Sequence, residues 1–209
     1  CPVDVKYSDY MRDVRAVAQE AGFHGNPSHG GAMHHIMEMA ASPKLKQNRT
    51  GWITDDLKVK KTGEVLYFVG CLPYYEQLFG KDFEFSPISI AHDTVKVLNK
   101  LGIEPVVMDN ERCCGHDLYW LGQLDKFDEL GRLNLKEFEK AGIKKIITAC
   151  PECAVTIKRL YPERLGQDGP EVAHISEIIA ANKGKLRFKS SPQKVAFQDP
   201  CRLGRFMDV

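Results

Sequence analysis

The 209-residue sequence lacks a surplus of charge of either sign: 29 lysines and arginines stand against 28 aspartates and glutamates. It has no global field of the kind that gathers phosphates, so no nucleic-acid partner is expected. Long hydrophobic runs are missing too. The longest, Val65 to Tyr75, is broken by Gly70 and Pro73 and falls well short of the ~20 residues of a membrane span. No charged segment followed by an apolar stretch opens the sequence, so no secretory signal is visible. Seven cysteines are too sparse and too uneven for the disulfide framework of a small secreted domain. What is present is 43% hydrophobic and 27% charged residues, enough for one or two ordinary cores and incompatible with disorder as the main state. A cytoplasmic location is expected, with membrane association only through a partner.

Five of the cysteines are grouped: Cys71, the adjacent Cys113 and Cys114, and Cys150-Pro-Glu-Cys153, with Cys1 and Cys201 left near the two ends. The surrounding pattern explains the grouping. Met11, Val14, Ala18 and Ala21 predict a first helix with Ser8 as N-cap, and Met33, Ile36, Met37 and Ala40 predict a second after Gly30-Gly31. The stretch from Ser42 to Gly63 reads as a polar connection anchored by Trp52 and Ile53. Beyond it, Glu64 to Val69 is a buried-strand signal ending in Gly70-Cys71. Ser86-Pro87 opens a helix that Gly102 closes, and Pro105 to Met108 supplies the next strand. The stretch Leu98 to Val107 aligns with Phe138 to Ile147 at an offset of forty, which also carries Cys113 onto Cys153.

Compact apolar strands alternating with helices predict an α/β fold, a parallel sheet with helices on both faces. Ligands of such sheets sit outside the carboxyl ends of the strands, so three cysteine loops far apart in sequence should converge there. Five thiols exceed the four of a tetrahedral structural zinc, and iron with sulfide fits the surplus better. Cys150 to Cys153 lies between a strand and a helix expected near Ala154, whose amide dipoles favour thiolates.

Gly70-Cys71, Cys113-Cys114-Gly115 and Cys150-Pro-Glu-Cys153 resemble the cysteine-rich CCG domain of heterodisulfide reductase catalytic subunits. The same domain recurs in iron–sulfur subunits of glycolate, lactate and glycerol-3-phosphate oxidation. The first gap is longer than usual, which implies an insertion around Gly80 to Ser86. The resemblance implies that Cys71, Cys113, Cys114, Cys150 and Cys153 hold a non-cubane iron–sulfur cluster. It further implies reduction of a disulfide, such as that of coenzyme M and coenzyme B, in two one-electron steps. Electrons would come from [4Fe-4S] cubane clusters and from a flavin, ferredoxin or membrane cytochrome subunit.

Cys1-Pro2 resembles the end of a ferredoxin motif, and Val195 to Arg205 resembles the strand and first cysteine, Cys201, of a second CCG domain. Residues 1–63 are therefore expected to be the C-terminal part of a helical ferredoxin-type domain plus linker. Residues 64–193 are expected to be the first CCG domain and 194–209 the start of a second, with the native polypeptide extending both ways.

His116, two residues past the paired cysteines, is the candidate proton donor to a leaving thiolate. A loop histidine with no chemical role is the alternative. Arg202, Arg205, Lys158 and Arg159 would meet substrate carboxylate or phosphate, although solvated surface charge is the simpler reading. The histidines from His24 to His35, with Met33 and Met37, invite a haem or copper site, but methionine at this spacing usually fills core. Three other functions stay open: an electron-relay subunit of hydroxyacid or glycerol-3-phosphate oxidation, metal-free dithiol exchange at Cys150 and Cys153, and a structural zinc module.

Overall fold

The computed structural model describes residues 5–23, 25, 28–82 and 84–209, with the backbone alone at 28 and 29. Cys1 and His24 lie outside these residues, and so do the expectations placed on them. Helix α1 (Tyr7–Glu20) begins one residue before the predicted cap, with Lys6 rather than Ser8 at its boundary. Helix α2 (Ala32–Ala40) buries Ile36, Met37 and Ala40, the stripe expected from their spacing.

Strand β1 (Val65–Phe68) is followed by α3 (Leu72–Phe79) and α4 (Ser89–Lys100). The Ser86 hydroxyl does not cap α4. It donates to Glu76 Oε2, which also accepts the Ile88 N–H at 3.0 Å, so a carboxylate from α3 serves the N-terminus of α4. Then come α5 (His116–Trp120), α6 (Leu124–Lys140) and β2 (Lys145–Thr148). Helix α7 (Pro151–Val155) runs through a π-helical stretch, Thr156–Leu160, into α8 (Tyr161–Leu165). Strand β3 (Glu171–His174) and α9 (Ile175–Ala181) follow.

The three strands pair in parallel in the order β1-β2-β3, with Leu66 opposite Ile146 and Ile146 opposite Val172. Pro105 to Met108 does not form the full strand its composition predicts. It joins the sheet beside β1 through Val106 alone, which bridges to Leu66 on one side and Lys60 on the other. Pro105 brings no N–H to the ladder, and Asp109-Asn110 turn the chain away directly after.

Alternation along β1 divides the core. Leu66 and Phe68 face one cluster with Phe127, Phe138 and Ile157, while Tyr67 and Val69 face another with Ala91, Val95 and Leu57. Both faces of the sheet are thus covered, as a parallel sheet requires. The strand expected at Val195 to Gln198 is absent: Val195 and Phe197 are exposed and no described strand lies beside them to pair with. The chain beyond forms a π-helical turn, Cys201–Arg205, packed on α7.

Candidate metal centre

Adding the Val106 edge, the spatial order is Val106, β1, β2, β3, so the direction of winding reverses between β1 and β2. Such a reversal leaves a crevice at the carboxyl ends of the two strands. Cys71 lies three residues past β1 and Cys150 two residues past β2, one on each side of it. The Cys113-Cys114 loop and Cys153 complete the group. A cavity of about 90 Å³ is lined by all five thiols together with Met33, Met37, Val69, Leu72 and Tyr75.

The sulfurs touch. Cys71 Sγ lies 3.5 Å from Cys113 Sγ, and Cys153 Sγ lies 3.4 Å from Cys114 Sγ. Cys150 is the N-cap of α7 and its sulfur accepts the Cys153 N–H at 3.4 Å. The helix therefore begins at Pro151, three residues earlier than expected. Proline at the first helical position suits the turn because its missing N–H has no partner there.

The electrostatics follow from this crowding. Hydrogen bonds from the Cys114 and Cys71 thiols, with the Gly115 amide, pull Cys113 well below the ordinary thiol range. Cys71 is pushed up by its contact with Cys113 and by burial, Cys114 by Cys113 and burial against an opposing pull from Cys153, and Cys153 by Cys114, Cys150 and burial. The Cys153 thiol and amide hold Cys150 down. Five close thiols therefore resist joint ionisation, and a cation among them removes that conflict. The donor set is soft and apolar-walled, and it fits an iron–sulfur group better than a hard cation.

The supporting residues are ones the sequence pattern did not single out. Asn134 on α6 accepts the Arg112 N–H at 3.0 Å and donates to the Cys113 carbonyl at 3.0 Å and to the Tyr161 hydroxyl at 3.1 Å. Tyr161 in turn donates to the Cys114 carbonyl at 2.9 Å. Both peptide carbonyls of the paired cysteines are thereby fixed from α6 and α8. Glu111 is fully buried against Arg49 at 2.6 Å. The polar run Asp109 to Arg112 directly before the cysteine pair was the signal available in the sequence.

His116 is buried at the cavity edge. Its Nδ1 lies 2.8 Å from Asp117 and 3.7 Å from Glu152, and its Nε2 is buried with no partner among the described residues. Cys201 is exposed and is not among the residues lining the cavity, so it is not brought to the other five. Arg202 stacks on Trp120 at 4.2 Å and on Phe206 at 5.1 Å. Lys158 and Arg159 are exposed. On α2, His34 pairs with Glu38 at 3.3 Å, while Met33 and Met37 face the thiol cavity. Among the described residues no helix is long and apolar enough to cross a membrane.

Residues 65–158 match the family model described as a cysteine-rich domain, CCG. Over 174 residues the chain is 35% identical to a component of the dihydromethanophenazine:CoB–CoM heterodisulfide reductase of Methanosarcina mazei, covering 79% of this chain and 40% of that protein. It is 34% identical over 159 residues to the probable iron-sulfur-binding oxidoreductase FadF of Bacillus subtilis, 73% of this chain and 21% of FadF. It is also 30% identical over 175 residues to the EtfAB:quinone oxidoreductase of Syntrophomonas wolfei, 77% of this chain and 23% of that protein. The chain thus spans about 40% of the length of the heterodisulfide reductase relatives it matches. No solved structure matches it.

Proposed function

We propose, from the premise that the chain carries a cysteine-rich domain of the CCG family and is similar to iron–sulfur redox proteins, that its five clustered cysteines hold a non-cubane cluster at which the intact protein reduces a small disulfide. The observation that carries the reading is the meeting of five thiols from three strand-end loops in one crevice. The disulfide of coenzyme M and coenzyme B, or one like it, is the substrate class that the heterodisulfide reductase relatives favour.

The reaction takes a disulfide, two electrons and two protons to two thiols. When bound, the cluster supplies electrons singly beside a substrate sulfur. The chain's own residues supply the rest. Met33, Met37, Val69, Leu72 and Tyr75 wall the cavity with apolar surface that excludes water from the sulfurs. His116, held through Nδ1 by Asp117, keeps Nε2 buried at the cavity edge, where it would carry a proton to a product thiolate. Asn134 and Tyr161 fix the carbonyls of Cys113 and Cys114 so that both sulfurs face the crevice.

Residues 1–63 serve in this proposal as the end of a ferredoxin-type domain in which Cys1 ligates a [4Fe-4S] cubane. Residues 64–193 form the first CCG domain, and 194–209, with Cys201, begin a second whose site is separate from this one. A flavin, ferredoxin or membrane cytochrome subunit would donate the electrons. A relay role without disulfide chemistry is favoured by the names of FadF, an iron-sulfur-binding oxidoreductase, and of the EtfAB:quinone oxidoreductase, neither of which names a disulfide.

The test uses the intact protein, purified anaerobically and driven by a reduced viologen. Cys113→Ser and Cys114→Ser should each abolish disulfide consumption while the circular dichroism stays native, because serine nearly keeps the volume of cysteine at these two buried positions and the strands and helices around them are untouched. Retained turnover in both variants would contradict cluster catalysis. A native protein that holds iron but reduces no disulfide would move the assignment to the relay role.

A further inference from the structure

Arg49 sits in the 42–63 connection, outside the stretch the family model covers, yet it is 1% exposed. Its Nη2 donates both to the Gly70 carbonyl and to Glu111 Oε1. Glu111 accepts the N–H groups of Val69 at 3.1 Å and Gly70 at 2.9 Å, so the ion pair grips both sides of the turn that delivers Cys71. The guanidinium lies over the Tyr74 ring at 5.1 Å, and the Tyr74 N–H donates to the Cys71 carbonyl at 3.0 Å. Gln47 links the same parts, accepting from the Tyr74 hydroxyl and donating to the Glu111 carbonyl, each at 2.6 Å.

The pair is not there for stability alone. A buried ion pair is often no better than an apolar pair of the same volume, because desolvation offsets the attraction. This one is also incomplete: Arg49 Nε and Nη1 are buried and find no partner among the described residues. Two unpartnered cationic nitrogens need acceptors for their N–H groups, and negatively charged sulfur is the acceptor chemistry nearby. The positive charge of Arg49 is felt at both Cys71 and Cys113.

We propose that Arg49, set by Glu111, is a positioning residue of the thiol site, fixing the Gly70-Cys71 turn and supplying the buried positive charge that offsets an anionic metal–sulfur group there. The inference rests on the iron–sulfur reading of the five cysteines. A fixed cation beside such a group favours its reduced, more negative state and so raises the reduction potential. Glu111 works in the opposite sense while holding Arg49 in place.

The test is a redox titration of the intact native protein and its variants, followed by electron paramagnetic resonance, with iron measured on every sample. Arg49→Gln should retain iron and shift the one-electron equilibrium at least tenfold toward the oxidised form, ~59 mV lower. Glu111→Gln should shift it upward, and Arg49→Lys should lie nearer the native value than Arg49→Gln. Iron-bearing variants with the native potential, or shifts of the same sign for Arg49→Gln and Glu111→Gln, would overturn the proposal. Should Arg49→Gln fail to fold, Glu111→Gln decides alone: an upward shift supports the inference and no shift contradicts it. A native protein without iron would instead overturn the iron–sulfur reading itself, and this inference with it.

Discussion

Gly70 shows how one residue sets the geometry of the thiol cluster. Its φ of +63° belongs to the left-handed region, and an ideal Cβ there would lie 3.0 Å from Cys153 Sγ. Gly102 has a similar φ of +78° with nothing within 4 Å of the same position. Alanine at either site should cost about 1–2 kcal/mol of stability through backbone strain. Only Gly70→Ala pushes on a sulfur of the thiol cluster. Thermal melts should therefore fall for both variants, whereas iron content should fall only for Gly70→Ala; equal iron in the two would mean that the close approach to Cys153 is irrelevant to the centre. The meeting of the five cysteines was legible because thiols grouped after strands converge at the carboxyl edge of a parallel sheet. Arg49, Glu111, Asn134 and Tyr161 were not, since their roles depend on contacts between residues far apart in sequence. Asn134→Leu leaves the Arg112 N–H without its acceptor and Cys113 without its donor, at about 1–3 kcal/mol per orphaned group. Denaturant melts of that variant should show the loss, and a native midpoint would count against the role given to Asn134.

At the scale of elements, cap chemistry explains both successes and misses. The runs Val65–Phe68 and Lys145–Thr148 read correctly as strands because each is an apolar segment closed by a glycine or cysteine turn. Pro105 and the Val195 segment misled because composition marks a chain that can extend, while a ladder needs donors and a neighbour. The N-terminus of α9 was equally invisible in the sequence. There His174 Nδ1 accepts the Ser176 N–H, and Glu177 accepts the His174 N–H at 2.7 Å, a capping box with histidine in the serine role. Burial pushes the His174 imidazole below its ordinary value, partly opposed by Glu177. An unfolded histidine then binds protons more readily than the folded one. The cap's contribution is complete above the unfolded value of ~6.5 and is lost as pH falls below it. Urea melts from pH 7.5 down to 5 should therefore show a steeper loss for the native protein than for His174→Asn, which keeps a capping side chain without the titration. Parallel profiles would remove His174 from the pH response.

The whole molecule places one chemical site where its topology reverses, and surrounds it with parts drawn from the full described length. The parallel pairing and the helices on both faces followed from strand and helix alternation, whereas the strand order and β3 did not. The contribution of the N-terminal helices did not. Arg12 on α1 bonds and stacks on Tyr119 of α5, and Arg15 donates to the Trp120 carbonyl at 2.8 Å. Helix α5 begins at His116, directly after the paired cysteines, so α1 is tied to the loop that carries two candidate ligands. Helix α2 adds Met33 and Met37 to the cavity wall. Sequence periodicity assigned those methionines to a core without showing which one.

The central claim is that five thiols in one crevice hold iron and sulfide. It is tested most directly by the iron, zinc and acid-labile sulfide content of the anaerobically purified intact protein, compared with a variant in which Cys113 and Cys114 are both serine. The account predicts iron and sulfide in the native protein, a loss of both in the double variant confined to the share held by this site, and no stoichiometric zinc. Stoichiometric zinc in the native protein, or iron and sulfide undiminished by the double substitution, would contradict it.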